Sequence, residues 1–327
     1  MPYRSNRRAF AGALAVVSTL LFAAPLHAQD NFPSRSLKIV VPATAGGTTD
    51  VVARTLAEKM SASMGQSVVI DNRLGANGIV AVKAVAGSPP DGYTMLLIHT
   101  AYTQNLALRS DQPYSLSEMI PLVLLGRSGT VLAVPSSLGV STLKDFVEYV
   151  RARPGKLSYG SFGVASTAHI YGEMLSNVAK LQVTHVPYKG ETAALNDVLS
   201  GQLAATWGSA GTFEPHVKAG KLKILAMTGP ERMPQYADIP TFVEQGYPMF
   251  DLAGWNGVFV PRGTPPAVVD RLTAEVRKGL QSPEVTAKLV GFGFVPVGTQ
   301  GRAFSQFLDA DVAKWTAAAK ANNIKAD

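Results

Sequence analysis

Two stretches carry the residue types that bind small anions. "PATAGGTTD", Pro42 to Asp50, has paired glycines, two hydroxyls and an acid. Gly46 and Gly47 let a backbone come close to a ligand, Thr48 and Thr49 offer hydroxyl donors, and a helix start adds unpaired N–H groups. "YGSFGVASTAH", Tyr159 to His169, repeats the logic with Ser161, Gly163, Ser166 and Thr167 ahead of another helix. Two such loops, each after a strand candidate, fit a ligand gripped from both sides. The same features also describe ordinary glycine-loosened turns with hydroxyl caps, so the pairing is more specific than either loop alone.

Other chemistries find less support. A nucleotide P-loop needs a lysine and a hydroxyl at its end, and "ATAGGTTD" has neither in register. A small carboxylate suits that loop better than a phosphate. "YGSFG" places its serine directly after glycine, one position off the G-x-S-x-G nucleophile elbow. His169 and Glu173 are four apart and share a helix face, but zinc needs three protein ligands, and the five histidines show no metal spacing. A packing histidine beside a surface acid is the better reading of that pair. No catalytic residue, metal or cofactor is expected. Tyr102, Phe162 and Trp207 follow strand candidates and are expected to look into the cleft. Trp255 is expected to pack between lobes.

The elements that must hold these loops alternate. "LKIVVPA" (37–43) reads as a strand and "TTDVVARTLAEKMSASM" (48–64) as a helix, with Val52, Leu56, Met60 and Met64 at helical spacing. Strand, helix and strand follow at 66–72, 78–88 and 93–100. The pattern restarts at "GTVLAVP" (129–135), with a helix over 141–155 capped by Ser141, and runs through "LKILAMTG" (222–229). A last block, "GWNGVFVPRGTP" (254–265), leads into helices at 266–281 and 302–322 and has one further strand-like run at 292–298. The reading is α/β, with two lobes that are each a mostly parallel sheet flanked by helices. Lobe 1 comprises 29–125 and 250–327, and lobe 2 comprises 126–249. The chain crosses near Leu122–Leu132 and near Asp251–Val260.

The totals bound the setting. The chain has 327 residues, 46% of them hydrophobic, and no cysteine, which excludes thiol nucleophiles and disulfide frameworks. Residues 1–28 read as a secretory signal: Arg4, Arg7 and Arg8, then an apolar run to Pro25, then Ala28. Arg7-Arg8 fits twin-arginine export and fits an ordinary basic head as well. Removal of 1–28 takes away three arginines and no acid, so the formal charge falls from +7 to +4. No basic block survives, which disfavours nucleic acid as a partner, and no second run is long enough to insert in a membrane.

With these residues in place, the chain resembles the Bug-type extracytoplasmic solute receptors of tripartite tricarboxylate transporters. "VPATAGGTTDVVAR", "VVIDNRLGANGIVAVKAVAGSPPDGYTMLL", "ARPGKLSYGSFGVASTAHIYGEML", "VPYKG", "GKLKILAMT" and "GWNGVFVPRGTP" carry the likeness, in order, over essentially the whole mature chain. The resemblance implies a two-lobed periplasmic-binding-protein (Venus flytrap, type II) fold, a periplasmic monomer, no catalysis and no cofactor. The partners it implies are a small carboxylate and the transporter's membrane subunits. By motif position, Ala45, Gly46, Gly47, Thr48, Thr49 and Asp50 hold one carboxylate, with Asp50 organising the helix start. Ser161, Ser166, Thr167 and His169 read the other end. Many relatives carry an acid after the "GQ" pair, whereas Ala204 and Ala205 stand there in this chain, which argues against an amino-acid ligand. The expected ligand is a dicarboxylate, and Tyr102, Phe162 and Trp207 admit an aromatic one. A secreted hydrolase of small carboxylic esters and a periplasmic sensor feeding a signalling partner stand as alternatives.

Overall fold

The structure is a computed structural model that describes residues 32–164, 166–322 and 324. The segment read as a signal, 1–28, lies outside the described residues. The chain divides into two units, Met1–Ser34 and Arg35–Asp327, and every element below belongs to the second.

Along the chain the elements are β1 (Leu37–Val41), α1 (Thr48–Met64), β2 (Val68–Asn72), α2 (Ile79–Ala86), β3 (Thr94–His99), α3 (Ala101–Leu108) and β4 (Met119–Ser128). Then come β5 (Thr130–Pro135), α4 (Leu143–Arg151), β6 (Ser158–Ser161), α5 (Thr167–Ala179), β7 (Thr184–Pro187), α6 (Glu191–Leu199), β8 (Ala205–Ser209), α7 (Ala210–Lys218) and β9 (Leu222–Met227). The last block holds β10 (Gly254–Pro261), α8 (Pro266–Leu280), α9 (Pro283–Gly291), β11 (Phe294–Gln300) and α10 (Gly301–Asn322). Local chemistry sets several ends. Thr142, not Ser141, caps α4: its hydroxyl accepts the Asp145 N–H while the Asp145 carboxylate accepts the Thr142 N–H. Gly65 ends α1 in the left-handed conformation, at φ 69°.

Two sheets result. One runs β11-β4-β10-β3-β1-β2 and the other β7-β6-β8-β5-β9. Most strands in each sheet point one way, as expected, but both sheets are mixed: β10 and β11 run against the rest of the first, and β5 runs against the rest of the second. β1, β2 and β3 pair in parallel, as do β6, β7 and β8, while β4, β10, β11, β5 and β9 are added through antiparallel pairs. The reason is the connectivity. β4 runs with β1, β2 and β3 and passes through a single residue, Gly129, into β5, which enters the second sheet against the direction of β6, β7 and β8; β10 returns between β3 and β4 in the opposite direction.

Burial follows the layers. Val40, Leu96, Ile98, Tyr102, Phe259 and Phe304 form a core on one face of the first sheet, beneath α2, α3 and α10. α1 and α8 cover the other face. In the second sheet Leu132, Val134, Phe146, Val150, Tyr159, Met174 and Trp207 pack under α4 and α5, and Val131, Ala133, Leu195 and Phe213 pack under α6 and α7. Each such side chain contributes about 1.5–3 kcal/mol when fully buried.

The connection between the sheets is tight. A Cβ on Gly129 would lie 2.8 Å from the Thr228 carbonyl, and one on Gly254 would lie 2.6 Å from Ser128 Oγ. Glycine is therefore required at 129, where the obstacle is backbone, and favoured at 254, where Ser128 would have to turn away. α10 departs from the expected division of the chain. Phe304 and Leu308 pack in the first sheet's core, but Trp315, Ala319 and Ile324 pack in the second's. The block 250–327 thus does not stay with the first lobe alone, because α10 is long enough to lay its last turns on the neighbouring sheet.

Candidate ligand cleft

The first loop is organised by Asp50. Its side chain is 1% exposed and fully engaged. Oδ2 accepts the Gly46 N–H (2.8 Å) and Arg54 Nε (2.9 Å), and Oδ1 accepts Asn72 Nδ2 (2.8 Å). Burial pushes the carboxyl pKa up, but the hydrogen bonds from Arg54, Asn72 and Gly46 outweigh it and hold the group below its ordinary value. Asn72 also donates to the Ala43 carbonyl (2.8 Å), which ties β2 to the loop. Gly46 takes φ +82°, which a side chain would strain. Its N–H is spent on Asp50, and that of Gly47 on the Thr44 carbonyl. Ala45 and Gly46 are exposed. Thr48 and Thr49 open α1, and their N–H groups have no partner inside the helix. Their backbone and hydroxyl groups are the donors this loop has left to offer.

The second loop is wired differently. Ser161 is buried, and its Oγ lies 2.7 Å from His185 Nε2 and 3.0 Å from the Gly163 carbonyl. Ser166 caps α5 by accepting the His169 N–H (3.3 Å) and donates to the Gly163 carbonyl (2.6 Å). His169 and His185 stack with ring centroids 4.0 Å apart. Desolvation lowers both ring pKa values, that of His185 to about 4, where the neighbouring His169 adds to the shift. Tyr159 lies against His185 and donates to Glu173 (2.8 Å). Gly172 makes room for that phenol, since a Cβ there would lie 2.0 Å from the ring. Phe162 is half-buried and packs against the α4–α5 core. His169 Nε2 stands 4.0 Å from Glu173 Oε1, and among the described residues no group of three or more His, Cys, Asp or Glu side chains is gathered to hold a metal.

Gln104 Nε2, on α3 beneath the first sheet, donates to Thr167 Oγ1 at the start of α5 (3.0 Å). That bond joins the two sheets' helices across the cleft. At the end of β8, the Ser209 N–H donates to Glu191 of α6 (2.7 Å). Its carboxyl occupies the space where Gly208 lacks a side chain. Burial raises its pKa to about 7, against the pull of the Ser209 and Thr212 hydrogen bonds.

Two predicted contacts are corrected. Tyr102 is wholly buried, stacked on Tyr114 (5.3 Å) and against Phe259 (4.9 Å). Trp207 is 1% exposed and stacks with Phe242 (5.3 Å) and Phe250 (6.0 Å). Both rings fill cores, because the strand or helix that carries each presents it to the packed face rather than to the cleft. Trp255 also packs, with Nε1 donating to the buried Asp311 (2.9 Å). His185, Gln104 and Glu191 were not singled out in sequence. His185 lies in "THVPYKG", two residues before the end of a strand, and only the pairing of β6 with β7 sets it beside Ser161.

A cavity of about 440 Å³ lies elsewhere, among Arg127–Gly129, Thr228, Gly229, Asp251–Ala253 and Phe307 of α10. Neither loop lines it. It sits where the connecting segments meet.

Two mixed sheets joined by adjacent segments, each with a glycine- and hydroxyl-bearing loop at a strand end, define a two-lobed solute-binding protein of the periplasmic-binding-protein fold. The model of the tripartite tricarboxylate transporter family receptor matches residues 52–324, and the chain belongs to that family. Protein BugT of Bordetella pertussis is 31% identical over 94% of this chain and 95% of its own length. The solved structure of periplasmic binding protein BugD is 30% identical with a TM-score of 0.79, covering 90% of this chain and 99% of that one. Rpa4515 of R. palustris, solved with adipate, is 34% identical with a TM-score of 0.81 and the same coverage.

Proposed function

We propose that this receptor captures a small dicarboxylate between the first and second loops in the periplasm and passes it unchanged to the membrane subunits of a tripartite tricarboxylate transporter. The observation that carries this reading is the pair of glycine- and hydroxyl-bearing loops that follow β1 and β6, on two sheets whose helices α3 and α5 are joined by Gln104 and Thr167. The adipate bound to the related R. palustris protein supports a dicarboxylate. In this reading one carboxylate meets Thr48 and Thr49, and the other end meets Thr167 and the turn held by Ser161, Ser166 and His169. Residues 29–125 with most of 250–327 act as one jaw and 126–249 as the other, and 1–28 directs export. The receptor works as a monomer. Among the described residues no helix is long and apolar enough to cross a membrane.

Thermal-shift screening with succinate, citrate, adipate, terephthalate and aspartate tests the reading. Stabilisation by dicarboxylates is expected, and stabilisation by aspartate alone defeats it. The contact of Ser161 with His185 favours one rival, an ester hydrolase using that pair. Ser161 is sealed from solvent and engaged with Gly163, which is poor placement for a nucleophile. Recovery of intact ligand after calorimetry supports the receptor, whereas turnover lost in Ser161→Ala supports the hydrolase.

A further inference from the structure

Asn256 lies on β10 at the end of the first sheet that carries the first loop, and it is 1% exposed. Neither its amide nitrogen nor its carbonyl oxygen has a hydrogen-bond partner among the described protein groups. Buried side-chain amides are nearly always paired, so two orphaned atoms on one residue point to an external partner. The direction of the side chain follows from register. Trp255 and Phe259 enter the core shared with α10, so strand alternation turns Asn256 to the opposite face, the one that α1 covers. Asn256 pairs with His99 across β10 and β3, and antiparallel partners share a face. β3 pairs in parallel with β1, so the end of β3 that carries His99 lies at the same sheet edge as the end of β1 that leads into the first loop. Asn256 and His99 therefore form one row at the sheet edge from which the first loop leads into α1.

His99 is a fixed donor in this row. Its Nδ1 accepts the Ala101 N–H (3.3 Å), which leaves the proton on Nε2, and burial lowers the ring pKa to about 4. The row makes one demand that a plain dicarboxylate cannot meet. An ionised carboxylate offers only acceptors. It can receive the amide N–H of Asn256 and the Nε2–H of His99, but Asn256 Oδ1 needs a donor. A hydroxyl both donates and accepts. An ammonium group donates too, but the acid of this loop, Asp50, is already filled by Gly46, Arg54 and Asn72.

We infer that Asn256 and His99 contact a hydroxyl on the carbon next to the carboxylate held by the first loop, so that the preferred ligands are 2-hydroxydicarboxylates. The inference rests on the carboxylate reading above. Calorimetry with malate against succinate, and with 2-hydroxyadipate against adipate, tests it, each enantiomer taken separately. The hydroxy member of each pair is expected to bind about tenfold more tightly. Asn256→Leu is expected to shrink the hydroxy-over-plain affinity ratio of each pair from about tenfold to within about twofold. Asn256→Ala serves the same comparison should the leucine variant fail to fold, and the wild-type comparison needs no variant. Binding of all four acids without a hydroxyl preference, or a preference that survives the Asn256 variants, overturns the inference and leaves the carboxylate reading standing. Failure of all four acids to bind overturns the carboxylate reading, and the inference with it.

Discussion

The two loops solve one problem by different means. The first is held by a buried charge: Asp50 gathers Gly46, Arg54 and Asn72 around one carboxylate and leaves the Thr48 and Thr49 donors uncommitted. The second is held by neutral groups. Ser161 and Ser166 fold back on Gly163, and a stacked histidine pair lies under them. A loop organised from behind by a carboxylate keeps its hydroxyls for a ligand, whereas a loop organised by its own hydroxyls has fewer to give. In the proposed reading the second jaw accordingly offers the start of α5, with the Thr167 hydroxyl already bonded to Gln104 and shape supplied by the stacked rings.

The strongest way to break this comparison is to remove Asp50. Asp50→Ala leaves the Gly46 N–H and the Asn72 amide unpaired and is expected to cost about 2–3 kcal/mol in urea unfolding, short of a fully buried pair because Arg54 is half in solvent. Ligand binding should fall with it. If unfolding is unchanged, the first loop is not organised by this acid.

Acid and base separate the loops next. Asp50 has a depressed pKa, so its stabilisation is present above the ordinary carboxylate value of 3.8 and is lost as pH falls through its folded value. His185 is depressed from 6.5 to about 4, so the folded state binds fewer protons than the unfolded chain in that window, and stability falls as pH drops from 6.5 towards 4. The second lobe should therefore weaken in milder acid than the first, and His185→Phe should remove that slope. Glu191 has the opposite sign. Its pKa rises from 4.5 to about 7, so the folded state holds the proton more tightly and stability falls as pH climbs between those values, by an amount on the order of 3 kcal/mol at most. Glu191→Gln should flatten that part of the curve, as read by denaturation midpoints at stepped pH.

Smaller effects sharpen the contrast. Replacing Thr48 and Thr49 together by valine should weaken ligand binding about tenfold or more, with unchanged unfolding, because these donors are not spent on the fold. Ser161→Ala should do the reverse, lowering the unfolding midpoint by about 1 kcal/mol and changing affinity less. Gln104→Ala should cost a few-fold in affinity, on the order of one hydrogen bond, since that bond closes the cleft. Parallel calorimetry and unfolding on the three variants would expose any exchange of these roles.

Much of the frame was legible in residue order. Val52, Leu56, Met60 and Met64 marked α1 at helical spacing, and its observed span matches the stretch read from that pattern. α3 was not legible. "AYTQNLAL" is buried on nearly every side, so it has no polar stripe to reveal a helix, and Gln104 and Asn105 look like surface residues although both are buried and hydrogen-bonded. α9 escaped because the long α8 pattern before it and the strand after it left the intervening residues looking like a loop. The aromatic readings failed for a related reason. Tyr102 and Trp207 follow or end strands in sequence, and the side of the layer they face depends on pairing that lies far away in the chain.

The sequence by itself determined the alternation of strands and helices, the two glycine–hydroxyl loops and the family, because these reside in local spacing and in ordered motifs. The tertiary structure alone decided which groups are free. It spent the hydroxyls of Ser161 and Ser166 on their own turn, set His185 against His169, carried the end of α10 into the second core and left the Asn256 amide without a partner. A hydrogen bond satisfied or left open depends on atoms brought together from distant parts of the chain, and residue spacing records nothing of that distance.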